Sequence, residues 1–199
     1  MTDLRTAEPY TKIYEIRWHG RGGQGAISSA QILAEAAFYQ GFKGVAAAPF
    51  FGAERRGAPV TASTRFAHDQ LRVYSQIEHP DVAIVLEEAL IETGNATNGL
   101  MPGGWLIVNS AKKPAELQIR GDFRVATADA LGIAQRLKLM VAGNAIVNTA
   151  MLGAFVRATG LVSLDSIKRA IESRFPPAPA RLNAEAARLT HDATLLGAG

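Results

Sequence analysis

One stretch of this chain carries residue types that could hold a charged ligand. It is Gly20-Arg21-Gly22-Gly23-Gln24-Gly25. Glycines at 20, 22 and 25 let the backbone turn tightly and let another group approach it closely. If a helix follows, its exposed N–H groups favour an anion. Arg21 could add a positive charge and Gln24 a hydrogen-bond donor. A second constellation, Glu54-Arg55-Arg56-Gly57, lies in a loop bounded by Pro49 and Pro59. Two guanidinium groups there suit forked binding of a phosphate or carboxylate. An internal ion pair with Glu54, or contacts to a partner subunit, explains them equally well.

Other polar residues offer less. Glu87-Glu88 follow an apolar run at the strand end where ligands of open α/β sheets gather. Acids at an ordinary helix start are the plainer explanation. Asn144 and Asn148, four apart, would share a helix face and cap backbone in the core. The four histidines, His19, His68, His79 and His191, have no zinc-site spacing and read as surface or loop residues. The chain has no cysteine, which excludes disulfides, thiolate nucleophiles and thiolate-ligated clusters from it. No Ser/His/Asp arrangement is legible. The chain is short of catalytic equipment of its own.

The elements that must position these residues follow from hydropathy patterning. Residues 13–18 read as a strand feeding the glycine turn, and residues 26–40 as a helix ended by Gly41. Residues 45–48 make a short second strand. Residues 60–66 and 71–77 both alternate and suggest a β-hairpin. Strands follow at 82–86, 105–109 and 123–127, with a short helix beginning at 87–92. Then helices dominate: 129–139 with Thr127 as cap, 144–159, and an amphipathic 163–175. Pro176, Pro177 and Pro179 break the pattern before a last helix at 183–195. The expected fold class is α/β: one Rossmann-like domain over residues 13–175, with a mostly parallel, mixed sheet that includes a β-hairpin and helices on both faces. Residues 176–199 form a proline-rich linker and helical tail, which either reaches a partner or folds back on its own core.

Bulk properties agree. The chain has 199 residues, is 48% hydrophobic and carries a formal charge of +3. The basic residues are scattered, so nucleic acid is not an expected partner. Residues 1–12 are polar, without a signal-peptide core. Residues 139–155 are broken by Asn144, Asn148 and glycines, short of the roughly 20 apolar residues of a membrane span. A cytoplasmic location is the expectation.

A glycine fingerprint alone does not specify a dinucleotide. A nicotinamide site needs an acid at the end of the second strand, about 20 residues on, for the ribose. Here that region is Gly44-Val45-Ala46-Ala47-Ala48, with no acid. A stand-alone NAD(P)-binding dehydrogenase therefore stays an alternative, as does a structural interaction subunit whose turn binds nothing.

Two segments together go further. Ile16-Arg17-Trp18-His19-Gly20-Arg21-Gly22-Gly23-Gln24-Gly25-Ala26 and Phe51-Gly52-Ala53-Glu54-Arg55-Arg56-Gly57-Ala58-Pro59-Val60 resemble, in order and spacing, the gamma subunit of 2-oxoacid:acceptor oxidoreductases, the pyruvate:ferredoxin oxidoreductase type. Gly143-Asn144 and Met151-Leu152-Gly153-Ala154 resemble a later segment of that family. The resemblance implies a cytoplasmic hetero-oligomer that oxidatively decarboxylates a 2-oxo acid to an acyl-CoA and CO2. It implies thiamine diphosphate with magnesium, and iron–sulfur clusters, on partner chains: thiamine-binding alpha and beta subunits and a ferredoxin-like delta subunit. A flavoprotein partner would mean NAD rather than ferredoxin as acceptor. This chain alone would be inactive. Its expected ligand contact is coenzyme A, at Gly20, Arg21, Gly22, Gly23, Gln24 and Gly25, with Arg55 or Arg56.

Overall fold

The computed structural model describes residues 12–49, 58–72, 75–141 and 143–197. A seven-stranded sheet forms its centre, in the order β2-β3-β1-β4-β5-β6-β9. These are β1 (Ile13–Arg21), β2 (Gly44–Pro49), β3 (Pro59–Ala67), β4 (Val82–Val85), β5 (Gly104–Asn109), β6 (Phe123–Ala128) and β9 (Leu195–Leu196). β1, β4, β5 and β6 pair in parallel. β3 runs antiparallel to both β1 and β2, and β9 antiparallel to β6. Five strands thus share one direction, which makes the sheet mixed and mostly parallel.

The antiparallel element differs from the expected 60–77 hairpin. β3 lies between β1 and β2, and no strand is formed by the described residues of 71–77. Leu71, Arg72, Ser75 and Gln76 are at least partly exposed while Ile77 is buried, and such alternation needs no sheet partner. A separate two-stranded hairpin does exist, β7 (Met140–Val141) with β8 (Asn144–Ala145).

The strand period of two assigns the sheet's faces. Ile16, Trp18, Val82, Ile84, Trp105, Ile107 and Ala126 point to one face and join the main core. Five helices cover that face: α1 (Ala26–Gln40), α3 (Ala130–Arg136), α4 (Ala150–Thr159), α5 (Leu164–Glu172) and α6 (Pro177–Ala193). Trp18 Nε1 donates to Thr64 Oγ1 at 3.1 Å, and that hydroxyl donates to Ala30 O at 2.9 Å, tying β1, β3 and α1 together. The second face is split. Over β4 and β5, Ala83, Val85, Leu106 and Val108 are sealed by Leu90 of α2 (Leu90–Thr93), Ala96, and Leu117 of a 3₁₀ turn (Pro114–Leu117). Over β1 and β3 it is polar.

The helix boundaries sharpen the sequence reading. α3 is capped by Asp129, whose carboxylate accepts from Gly132 N at 2.8 Å, while Thr127 is buried in β6. α4 begins at Ala150, because Asn144 is spent on the β7–β8 hairpin. α5 starts at its Ser163 cap as expected. The prolines open α6 instead of forming a linker: Pro177 and Pro179 stand in its first turn, where the missing N–H groups would have no intrahelical acceptor. α6 lies against α4 closely enough that a Cβ on Gly153 would strike the Ala187 carbonyl, and Ala180, Ala186 and Ala187 are buried. The last helix is folded back on its own core.

Candidate functional site

The glycine turn joins the end of β1 to the start of α1, as the strand–turn–helix reading requires. Gly23 and Gly25 have φ of 92° and 80°, in the left-handed region that favours glycine. A Cβ on Gly25 would strike the Asn148 amide, and Asn148 Nδ2 donates to Gly25 O at 3.1 Å. Asn148 is buried, so the segment before α4 props the turn from behind. A Cβ on Gly23 would meet open space. That glycine faces open space.

Several donors in the turn hold its shape. Gly22 N donates to Ala58 O at 3.0 Å, Gln24 N to Arg21 O at 2.9 Å, and Arg21 N to Gln24 Oε1 at 2.8 Å. The N–H groups of Gly23, Gly25 and the first three residues of α1 make no hydrogen bond among the described residues. They are the anion-seeking group of the turn.

Arg21 and Gln24 do not contribute to that group as expected. Arg21 Nε donates to both oxygens of Glu87 at 2.9 Å, with Nη2 2.8 Å from Oε1. Gln24 Nε2 donates to Glu87 Oε2 at 3.0 Å. The carboxylate of Glu87 therefore neutralises the cation at the turn. The hydrogen bond from Arg21, then that from Gln24, holds the Glu87 carboxyl below its ordinary pKa against the opposing cost of desolvation. Glu88 accepts from Lys112 and from Ser110 Oγ at 2.8 Å, and is likewise held low. Two carboxylates both kept ionised do not form an acid–base pair. Neither starts a helix, since α2 begins at Leu90.

Arg55 and Arg56, with Glu54, lie outside the described residues. Among the described residues no group of histidine, aspartate or glutamate side chains could hold a metal. No described helix is long and apolar enough to cross a membrane.

The structure also corrects one histidine. His19 is 3% exposed within β1, not a surface or loop residue. Burial, then the charge of Arg17, depresses its pKa to about 3. Glu15, Arg17 and His19 alternate along β1 onto the sheet's second face, a signal that period-two reading of IYEIRWHG carries but that the search for metal spacing passes over.

Residues 15–193 match the family model described as pyruvate ferredoxin/flavodoxin oxidoreductase. The chain belongs to that family. Within it the match is to gamma subunits. The chain is 48% identical over 185 residues to the pyruvate/ketoisovalerate oxidoreductases common subunit gamma of Thermococcus kodakarensis, covering 92% of this chain and 97% of that one. It is 48% identical over 178 residues to pyruvate synthase subunit PorC of Methanothermobacter thermautotrophicus, covering 89% and 94%. The crystal structure of pyruvate oxidoreductase subunit PORC from Thermotoga maritima superposes with a TM-score of 0.80 at 37% identity, over 94% of this chain and 99% of that one. A 2-oxoglutarate:ferredoxin oxidoreductase from Magnetococcus marinus, solved with 2-oxoglutarate, coenzyme A and succinyl-CoA bound, shares the fold. Its TM-score is 0.69 at 22% identity, and the match spans 92% of this chain but 31% of that one. The fold thus occurs both as a separate chain and as part of a longer one. As a gamma-type subunit of a 2-oxoacid oxidoreductase, this chain is one part of an enzyme.

Proposed function

We propose that this gamma subunit works in a multisubunit, thiamine-diphosphate-dependent complex that oxidatively decarboxylates a 2-oxo acid to an acyl-CoA and CO2. Its glycine turn receives a phosphate of coenzyme A beside an active site on its partners. The carrying observation is the outward row of unpartnered N–H groups at Gly23, Gly25 and the start of α1, on a turn whose remaining donors are spent on its own shape. Glu87 neutralises Arg21, so the cation for the phosphate comes from Arg55 or Arg56. The coenzyme in the Magnetococcus complex supports the ligand class, and the pyruvate and ketoisovalerate names of the relatives support a short 2-oxo acid.

The partners in this reading are thiamine-binding alpha and beta subunits and a ferredoxin-like delta subunit. They hold the thiamine diphosphate, magnesium and iron–sulfur clusters, since a chain without cysteine supplies no thiolate. A nicotinamide dehydrogenase fits less well: β2 carries no acid to bind a ribose.

Coenzyme A affinity of the intact complex tests the reading. Gly23→Val fills the outward space, and Arg55→Ala removes a cation. Each should weaken binding about tenfold, the worth of one charge-assisted contact. Unchanged affinity in both, with the complex assembled, rejects it. That outcome favours a structural turn, which the Arg21–Glu87–Gln24 network by itself would serve.

A further inference from the structure

The second face of the sheet holds a cavity of about 360 Å³ that the glycine turn does not use. Arg17, His19, Thr61, Ser63, Arg65 and Asn98 are among its walls. Its charges do not balance. Arg65 pairs with Glu15, Nε to Oε1 at 2.6 Å. Arg17 makes no ion pair among the described residues. Its guanidinium donates to neutral groups only: Nε to His19 Nε2 at 3.0 Å, and Nη2 to the Ala96 carbonyl at 3.2 Å and to the Asn98 carbonyl. Because His19 Nε2 accepts that bond, the imidazole proton sits on Nδ1. Arg65 Nη2 is a buried donor with no hydrogen-bond partner, and His19 Nδ1 makes no well-formed hydrogen bond, only a weak contact with the Gly94 backbone. His19 is 3% and Arg65 6% exposed. Buried charges are normally paired and buried donors normally satisfied, because each exception costs stability. One cavity here gathers a cation that meets no carboxylate among the described residues and a buried guanidinium donor without an acceptor.

We infer that this cavity is a binding site for a small molecule bearing an oxyanion, a carboxylate or a phosphate, with Arg17 as its counter-ion. An oxyanion supplies the missing negative charge. Thr61, Ser63 and Asn98 line the remainder with neutral polar groups, and the volume suits a small metabolite. The site is separate from the glycine turn and does not depend on the coenzyme A reading.

The test is calorimetric titration of the full chain with inorganic phosphate and with acetate at constant ionic strength. Arg17→Gln removes the unpaired cation. Asn98→Asp, at an exposed position, places a built-in carboxylate beside Arg17 and leaves the buried wall untouched. Arg21→Gln disrupts the glycine turn's ion pair instead. The expected result is saturable binding of one or both anions, weakened at least tenfold in Arg17→Gln and in Asn98→Asp and retained in Arg21→Gln. If Arg17→Gln fails to fold, Asn98→Asp carries the test alone. Absence of saturable binding to the wild-type chain overturns the inference. So does binding that survives Asn98→Asp, or binding that disappears only in Arg21→Gln.

Discussion

β1 positions two polar clusters, and they are built on opposite principles. At its end, Arg21, Gln24 and Glu87 form a network in which cation, amide and carboxylate answer one another. Four residues earlier, Arg17, with His19 and Arg65, lines a cavity in which the cation meets no carboxylate among the described residues and a buried donor of Arg65 has no acceptor. The first cluster is half-exposed, where water screens its charges and the ion pair adds little to stability. In the second, His19 and Arg65 are buried around a half-buried Arg17, and buried polar groups are costly unless something completes them. A carboxylate partner and the burial of the neighbours, not residue type, separate a structural brace from a candidate binding site.

Breaking the buried cluster should have the largest effect. Arg65→Ala strands Glu15 beside a cavity, and denaturant unfolding should show a loss of about 3 kcal/mol or more. A loss under about 1 kcal/mol would mean that the two clusters differ less than their burial implies.

His19 gives the buried cluster a pH signature. The native imidazole stays neutral down to about pH 3, while the unfolded chain takes up its proton near 6.5. Between these values the unfolded state binds more protons, so stability falls as pH falls. The slope is about 1.4 kcal/mol per pH unit. From pH 6.5 to 4.5 the wild-type chain should therefore lose about 2–3 kcal/mol that His19→Gln does not lose. Carboxylates held low, such as Glu87 and Glu88, add their losses only further down, as pH drops through and below their ordinary value of 4.5. Parallel stability curves for the two proteins over that window would place His19 in contact with solvent.

The turn offers a contrast within itself. Gly25→Ala combines a left-handed φ with a collision against Asn148 and should cost about 2 kcal/mol. Gly23→Ala has the strain without the collision and should cost about 1 kcal/mol. Equal losses in thermal unfolding would remove Asn148 as the prop of the turn.

Glu87→Gln should matter least for folding. It removes the carboxylate that faces Arg21 at a half-exposed site, so the melting temperature should stay close to that of the wild type. Coenzyme A affinity of the complex should hold or rise as the turn becomes more positive. Weaker binding would make Glu87 part of the ligand's seat instead of a neutralising brace.

Much of this was legible along the chain. The strand, glycine turn and helix followed from local periodicity and from the backbone freedom of glycine, which act over a few residues. The family was legible from the two motifs. Other features were not, because they depend on residues far apart in sequence. Alternation in 60–66 identified a strand but could not name its neighbours. β3 pairs with β1 and β2, while 71–77, with the same alternation, forms no strand among its described residues. The prolines of 176–179 looked like a break because proline ends helices, yet it also starts them, and burial against α4 selects the start. Arg21 read as a free cation until the fold brought up Glu87, 66 residues away.

The sequence by itself determined which residues can turn, which can carry charge, and that this chain offers no thiolate to a metal centre. Those properties reside in single side chains and short periods. The tertiary structure decided which charges are cancelled and which are left open. Arg21 at one end of β1 meets a carboxylate and Arg17 in its middle meets none among the described residues, because pairing depends on what the sheet and its connections place within about 4 Å.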